Sequence, residues 1–455
     1  MSTDFFEGKR VLIMGLGQFG GGVDSAIFAC KAGGKVTVTD LADEKALAGS
    51  LQQLTEYDIK YHLGGHQEED FANADVIVVN PAVGPDNRFV QIAHNADKTI
   101  TSQIEIFFQL CPCRIVGITG ANGKSTTTAL TAHLLTGGIG QGVNYKNVWL
   151  GGNIGDRPLL DRLDRIYPKD VVVLELSSFQ LEQLSRIQKA PHVSVITNLT
   201  PNHLDRYGRF EAYCQAKENI FRLQKPDESR PAVSIFNAED AITAEWFKRY
   251  SNETGRYCMT FKAGDVSREL AEVFNLPGRA NLSNLAAAVA VAGHFGVSDE
   301  LIADSAGTFE ALPHRLELVA QIGGARWYND SIATTPASTI AALDAFEAPR
   351  IIIAGGYDKG LGFDELGAKI ARKAKAAILI GKTAGKIAEA IRTAGKTNVR
   401  VEFASSMVEA VNCANVLAES GDVVLLSPAC ASYDMFANFR ERSEVFRKLV
   451  RELRR

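Results

Sequence analysis

Gly117-Ile118-Thr119-Gly120-Ala121-Asn122-Gly123-Lys124-Ser125-Thr126 begins inside the apolar run RIVGITG (114–120) and ends on the helix-like segment TTTALTAHLL (126–135). Its glycine spacing carries one residue more than the strict G-x-x-x-x-G-K-[ST] pattern, with five residues between Gly117 and Gly123. The working parts are still present: consecutive backbone donors, a lysine to neutralise β and γ phosphates, and hydroxyls on Ser125 and Thr126 to ligate Mg²⁺. Set at a strand-to-helix junction, these parts predict a nucleoside triphosphate site and therefore an α/β domain around it.

Outward from this loop the same rhythm recurs. VLIM (11–14), KVTVTD (35–40) and DVIVVN (75–80) precede it; VVVLEL (171–176), VSVITN (193–198), RIIIAGG (350–356), AAILIG (376–381) and DVVLLS (422–427) follow, each succeeded by a helix-like segment. Strand-length apolar runs alternating with helices predict mostly parallel sheets. Glycine loops restart the pattern at Gly15, Gly117 and Gly355, and 455 residues at roughly 150 per domain suggest about three domains. The expected division is 1–97, Rossmann-like; 98–311, the phosphate-loop domain; and 312–455, again Rossmann-like, the last join resting on LPHRLE (312–317).

Composition narrows the function. Hydrophobic residues make up 46% and charged residues 22%, which suits globular domains rather than a disordered or fibrous chain. A net charge of -4 gives no bulk attraction to nucleic acid or anionic membrane, so an anionic ligand must be held by local sites. The seven scattered cysteines form no disulfide or zinc framework and predict reduced thiols in a cytoplasm. MSTDFFEGKR has no export-signal pattern, and no apolar stretch reaches the ~18 residues that span a bilayer.

Gly15-Leu16-Gly17-Gln18-Phe19-Gly20 follows VLIM, and Asp40 ends the next strand 20 residues beyond Gly20. Glycines that admit backbone N–H groups to a diphosphate, with an acid for the distal ribose or base, describe a nucleotide diphosphate site. A nicotinamide cofactor and a purely structural turn remain alternatives. Glu175 ends VVVLEL, where a neighbouring strand offers a carboxylate to a metal beside the triphosphate. His203 and Asp205, in NLTPNHLDR, lie past VSVITN on the same expected sheet edge. Lys217, fourteen residues after His203, reads alone as an exposed helical lysine. Arg315, Asn329-Asp330-Ser331 and Asp358-Lys359 sit at turns beside later strands, either as solvated loops or as groups that close over the phosphates.

These residues resemble the Mur ligases, most closely the branch that adds glutamate to UDP-N-acetylmuramoyl-L-alanine in bacterial cell-wall synthesis. The resemblance spans nearly the whole chain through GLGQFG, GITGANGKST, GGNIG, ELSSFQLE, NLTPNHLDRY, the AK of YCQAK, LPHRLE, NDSIATTP, GGYDKG and LSPACASYDMFANF, in family order. It implies an ATP-dependent ligase that forms a C–N bond through an acyl phosphate and releases ADP and phosphate. By the resemblance, Gly15, Leu16, Gly17, Gln18, Phe19 and Asp40 hold the uridine diphosphate, with Asn80 and Pro81 lining the cleft. Gly120, Asn122, Gly123, Lys124, Ser125 and Thr126 cradle ATP, Asn281 and Asn284 reach the adenine, and Arg315 and Asp330 complete the site. Asn153 contacts the substrate diphosphate or the metals. Lys217 carries a carbamate and, with Ser125, Glu175 and His203, ligates two Mg²⁺ ions; Lys124, His203 and Lys217 form the catalytic set. Lys359, Ser432 and Phe439 surround the glutamate, and a monomer is expected.

Two departures bear on specificity. Ile332 stands in NDSIATTP where many members carry lysine, and it supplies neither charge nor hydrogen bond, so the pocket leaves D- and L-glutamate both open. Leu41 and Ala42 follow Asp40 where some members place a hydroxyl and an arginine, which shifts uridine contacts toward the backbone. A nicotinamide oxidoreductase leaves Lys124 unexplained, a nucleotide-gated scaffold leaves Lys217 unexplained, and folate polyglutamylation has no use for the Gly15 domain.

Overall fold

The computed structural model describes residues 5–18, 20–84, 86–154, 158–395 and 398–453. The chain has three α/β domains, one per sheet, grouped into two packed units: residues 1–265 with 285–305, and residues 266–284 with 306–455.

The first unit contains two sheets. One is built from β1 (Arg10–Met14), β2 (Lys35–Asp40), β3 (Ile59–Leu63), β4 (Val76–Val79) and β5 (Thr99–Thr101), in the order β3-β2-β1-β4-β5. The other takes β6 (Arg114–Thr119), β7 (Val148–Gly152), β8 (Val171–Glu175), β9 (Val193–Ile196), β10 (Ala232–Asn237) and β11 (Arg256–Phe261), in the order β11-β10-β9-β6-β8-β7. Every pairing in both is parallel. The cause is legible in β8 and β9, whose residues are all buried: helices cover both faces, so no polar alternation survives.

The second unit holds β12 (Glu317–Ile322), β13 (Ala325–Asn329), β14 (Arg350–Gly355), β15 (Ala374–Ile380), β16 (Arg400–Phe403) and β17 (Val423–Leu426), in the order β12-β13-β17-β14-β15-β16. Only the β12–β13 hairpin is antiparallel, turning through Gly323 and Gly324, both at positive φ. Apolar clusters cover both faces of this sheet. No helix among the described residues is long and apolar enough to cross a membrane.

A continuous apolar cluster joins the first two sheets, running from Phe6 and Val11 through Ile106, Phe107, Leu160 and Leu163 to Val172 and Leu174. Two buried acids reinforce it. Glu105 accepts Arg186 Nε at 2.9 Å and Nη2 at 2.6 Å. Asp24, on the first turn of the helix Gly21–Lys31, accepts Gln103 Nε2 at 2.7 Å, Leu160 N at 3.1 Å and Asp161 N at 2.8 Å. Asp24 therefore ties the first domain's glycine-loop helix to the second domain.

Burial pushes the Asp24 carboxyl up to about 7, against the pull of its donors. Folding thus favours the protonated acid: its contribution is fully present below about pH 4 and is lost as pH rises through about 7. Denaturant unfolding from pH 4 to 8 should show the wild type losing stability relative to Asp24→Asn across that window. Parallel curves would uncouple this ionisation from folding.

Candidate active site

The phosphate loop leaves β6 at Thr119 and enters the helix Lys124–Gly137. Gly120 (φ 148°) and Gly123 (φ 81°) turn it, and the end of β9 braces it. Ala121 N donates to Asn198 O at 2.8 Å and Asn122 N to Asn198 Oδ1 at 2.9 Å; Thr197 Oγ1 at 2.6 Å and Asn198 Nδ2 at 3.0 Å donate to Asn122 O. A Cβ on Gly120 would lie 1.9 Å from Thr197 Oγ1, so only glycine allows this approach. No side chain caps the helix at Gly123, which leaves its first backbone donors aimed at the loop's concavity. Lys124 Nζ donates to Ala121 O at 2.9 Å, holding its charge over the loop, and Ser125 and Thr126 are buried on the first turn.

Beside this loop lies Lys217, on the helix Phe210–Arg222 and only 1% exposed. The solvated position expected of a helical lysine is thereby corrected: Tyr213, Cys214, Ala216 and Ile220 share its buried face. Its Nζ donates to Thr119 Oγ1 at 3.1 Å and sits 5.0 Å from the Tyr213 ring centre. Burial first, and then Lys124, hold the Lys217 ammonium well below its ordinary value, while Glu175 and Cys214 act the other way. Burial and the neighbouring lysine thus both weaken the ammonium's hold on its proton, which favours the nucleophilic free amine.

Glu175, at the end of β8, is 2% exposed. Its Oε1 accepts Asn153 Nδ2 at 2.9 Å, while Oε2 is buried with no hydrogen-bond partner. A carboxylate oxygen orphaned beside a phosphate loop suits a hard divalent cation. Asn153 thus acts on the acid, through its backbone as well, where Asn153 N donates to Glu175 O at 2.9 Å.

His203 is exposed as a residue, in the left-handed region at φ 53°, with its ring centre 5.0 Å from that of Phe179. Partial desolvation of the ring keeps its imidazole below its ordinary value, helped by Lys217, Lys124 and Arg206 and opposed by Asp205. A neutral imidazole is the ligating form. No three His, Cys, Asp or Glu side chains among the described residues surround one point. Of Ser125, Glu175, His203 and Lys217, only Glu175 and His203 are of those types. The donor set fits magnesium.

At the first sheet, Gly15, Gly17 and Gly20 all have positive φ. Asp40 is occupied by the loop itself, accepting Gly17 N at 3.0 Å and Ala42 N at 2.8 Å, so it shapes the turn in which a diphosphate would sit. Leu16 is 1% exposed and belongs to the core, which leaves only its backbone for a ligand. Gln18 donates to Ala46 O at 3.0 Å, and Asn80 Nδ2 to Gly15 O at 3.3 Å. Phe19 lies outside the described residues. Pro81 O and Ala82 O each accept Arg206 Nη1 at 3.3 Å, and Arg206 also pairs with Glu182 at 3.2 Å. Arg206 escaped the sequence reading although it lies inside NLTPNHLDRY.

In the second unit, Asp330 is buried, accepting Ser427 Oγ at 2.8 Å and Leu316 N at 3.3 Å, and burial pushes its carboxyl up to about 7. Arg315 stands between two residues in left-handed backbone, His314 (φ 68°) and Leu316 (φ 44°). Lys359 Nζ lies 5.9 Å from the Tyr433 ring centre, Ser432 is buried, and Phe439 O accepts Ser331 Oγ at 2.8 Å. Arg442, which sequence reasoning passed over, donates to Ser331 Oγ at 3.0 Å, Ser331 O at 2.7 Å and Cys430 O at 3.0 Å, fixing both loops. Asn281 and Asn284 are buried on the helix Arg279–His294, with Asn281 Nδ2 donating to Pro277 O at 2.8 Å and Asn284 Nδ2 to Asn281 Oδ1 at 3.2 Å.

Replacing Gly120 by alanine should weaken ATP binding at least about 10-fold, because the added methyl displaces Thr197 and unbraces the loop. Calorimetric titration checks this; unchanged affinity would show that the brace is dispensable.

Three domain families match the chain: the MurD-like N-terminal domain of Mur ligases over residues 9–102, the Mur ligase middle domain over 118–292, and the Mur ligase glutamate ligase domain over 314–430. The UDP-N-acetylmuramoylalanine--D-glutamate ligase of Roseiflexus sp. is 40% identical over 97% of this chain and 98% of its own. The like-named enzyme of Acetivibrio thermocellus is 39% identical over 98% of this chain and 97% of its own. Two Thermotoga maritima structures share the fold: UDP-N-acetylmuramate-alanine ligase MurC (TM-score 0.59, 18% identity, 98% of this chain and 99% of that one) and MurF ligase in complex with ADP (TM-score 0.58, 16% identity, 99% and 97%). These matches together cover nearly the whole chain, and the chain belongs to the Mur ligase family, in its MurD-like branch.

Proposed function

We propose that this chain joins glutamate to the carboxyl group of UDP-N-acetylmuramoyl-L-alanine at the expense of ATP, releasing ADP and phosphate, as a step of peptidoglycan synthesis. The names carried by its full-length relatives support the substrates, D-glutamate included. The observation that carries the chemistry is the buried Lys217 amine, its ammonium disfavoured by burial and by Lys124 of the phosphate loop, with an orphaned Glu175 oxygen near it. A binding module has no use for that arrangement.

Lys217 is suited to carbamylation. The free amine attacks CO₂, the C–N bond forms and a proton leaves, so a side chain that would repel Lys124 as an ammonium becomes an anion that attracts it. Ser125, Glu175, His203 and carbamylated Lys217 would hold two Mg²⁺ ions, which supply neutralisation of the phosphate charge when bound. Lys124 stabilises charge on the transferred phosphoryl group while the substrate carboxylate attacks the γ-phosphorus and ADP leaves. The glutamate amine then adds to the acyl phosphate carbonyl and phosphate departs from the tetrahedral intermediate. An acyl phosphate hydrolyses if wetted, so the reaction needs a site that excludes water.

The division of labour we propose follows the domains: residues 1–97 bind uridine diphosphate, with Asp40 and Asn80 shaping the loop; residues 98–311 bind ATP; residues 312–455 bind glutamate through Lys359, Ser432 and Phe439. The working form is a cytoplasmic monomer.

Phosphate release should require UDP-N-acetylmuramoyl-L-alanine and glutamate together, and D-glutamate should support it better than the L enantiomer. Release without either substrate, or an NAD-linked absorbance change in place of release, overturns this function. Lys217→Ala should lose at least about 100-fold in kcat and recover partly with a short-chain carboxylic acid, which fills the carbamate's place, but not with bicarbonate. Carbon-13 NMR under labelled CO₂ should show a carbamate signal in the wild type that Lys217→Ala lacks. Full activity of the variant removes the modified lysine from the mechanism.

A further inference from the structure

Cys111-Pro112-Cys113 lies at the join between the helix Gln103–Leu110 and β6, the strand that ends in the phosphate loop. Cys111 caps that helix, its N–H donating to Phe107 O at 2.8 Å, and Cys113 is the last residue before the strand. The two sulfurs are 3.7 Å apart, already in hydrogen-bond contact. Cys113 is buried, Cys111 is half-buried and Pro112 between them is exposed, so the pair lies under the surface with Cys111 the more accessible residue. The nearby acid Asp170 is committed elsewhere, accepting Asn147 Nδ2 at 2.9 Å and both Trp149 Nε1 and Tyr167 N at 3.0 Å.

We propose that Cys111 and Cys113 form a reversible redox dithiol, in which Cys111 exchanges with small-molecule disulfides and Cys113 resolves the adduct as an internal disulfide. The Cys111 thiolate attacks one sulfur of the oxidant, and a small-molecule thiolate leaves. Cys113 then attacks the Cys111 sulfur, expelling the second small-molecule thiolate and forming the Cys111–Cys113 bond. Two protein thiols are oxidised, one disulfide is reduced, and the two protons pass to the departing thiolates. Closing the bond takes the sulfurs from 3.7 Å to about 2.05 Å, a short movement at a loop junction.

The electrostatics assign the same roles. The hydrogen bond from Cys113 lowers the Cys111 thiol, against its partial burial. Cys113 is raised by that same contact and by burial. Burial also raises the other five cysteines, taking Cys30 and Cys214 up to about 11. Cys30 and Cys258, half-buried like Cys111, are therefore internal controls.

The test exposes the full-length protein to oxidised glutathione at pH 7, quenches in acid and digests with trypsin. Residues 99–114 form one tryptic peptide carrying both thiols. The expected product is that peptide short of two hydrogens, restored by dithiothreitol, with Cys111 alkylated at least about 10-fold faster than Cys30 in the reduced protein. Cys113→Ser should instead accumulate glutathione on Cys111, and Cys111→Ser should give neither product. A stable glutathione adduct on wild-type Cys111, or equal alkylation of Cys111 and Cys30, would overturn the proposal; both readings come from the unmutated chain and do not depend on how the variants fold.

Discussion

The structure is organised around an electrostatic conflict. Two lysines from different elements act on one another beside the phosphate loop, Lys124 at a helix N-terminus and Lys217 in the interior of a second helix. Burial and the charge of Lys124 both disfavour the Lys217 ammonium. Thr119 accepts from the Lys217 amine and donates its own hydroxyl to Leu176 O at 2.7 Å, so the lysine is moored by a hydroxyl. Glu175 stays half-partnered, with one oxygen held by Asn153 and the other bare. Such a site is at rest only when more negative charge is added to Lys217 and positive charge to Glu175, which is what a carbamate and a divalent cation would do.

The fold was legible because burial erases alternation. VVVLEL and VSVITN have no polar face, so they can only be strands covered on both sides, and every strand of the first two sheets pairs in parallel. The β12–β13 hairpin was harder to see, since ELVAQI and ARWYN are half-polar and lie at a sheet edge. The glycine loops were legible for a related reason. Positions that combine positive φ with no room for a Cβ, such as Gly15 and Gly120, leave glycine as their only solution.

The site was legible only where chemistry coincides with such backbone constraints. Lys217 sits among charged neighbours, Glu211, Glu218 and Arg222, and the polar side of the helix hides its depth. The usual exposure of a helical lysine pointed the opposite way, and only the family resemblance implied a role for it. Arg206 and Arg442 show the complementary failure. Both donate mainly to carbonyl oxygens of distant loops, Pro81 and Ala82 for one, Ser331 and Cys430 for the other. A carbonyl acceptor leaves no mark in the sequence, because every residue has one. Asp24 belongs with them, since two of its three partners are backbone amides.

The same distinction separates residues that touch reacting atoms from residues that position them. Asp40 carries the sequence signature of a ribose ligand, yet its oxygens hold Gly17 and Ala42. Asn80 likewise spends its amide on Gly15 O and its carbonyl on Ala82 N. The glycine loop of the first domain is thus held by side chains turned toward the protein. Ala42 enters this arrangement only through its backbone N–H, so the apolar side chains of Leu41 and Ala42 do not disturb it. A loop held from behind needs few contacts in front.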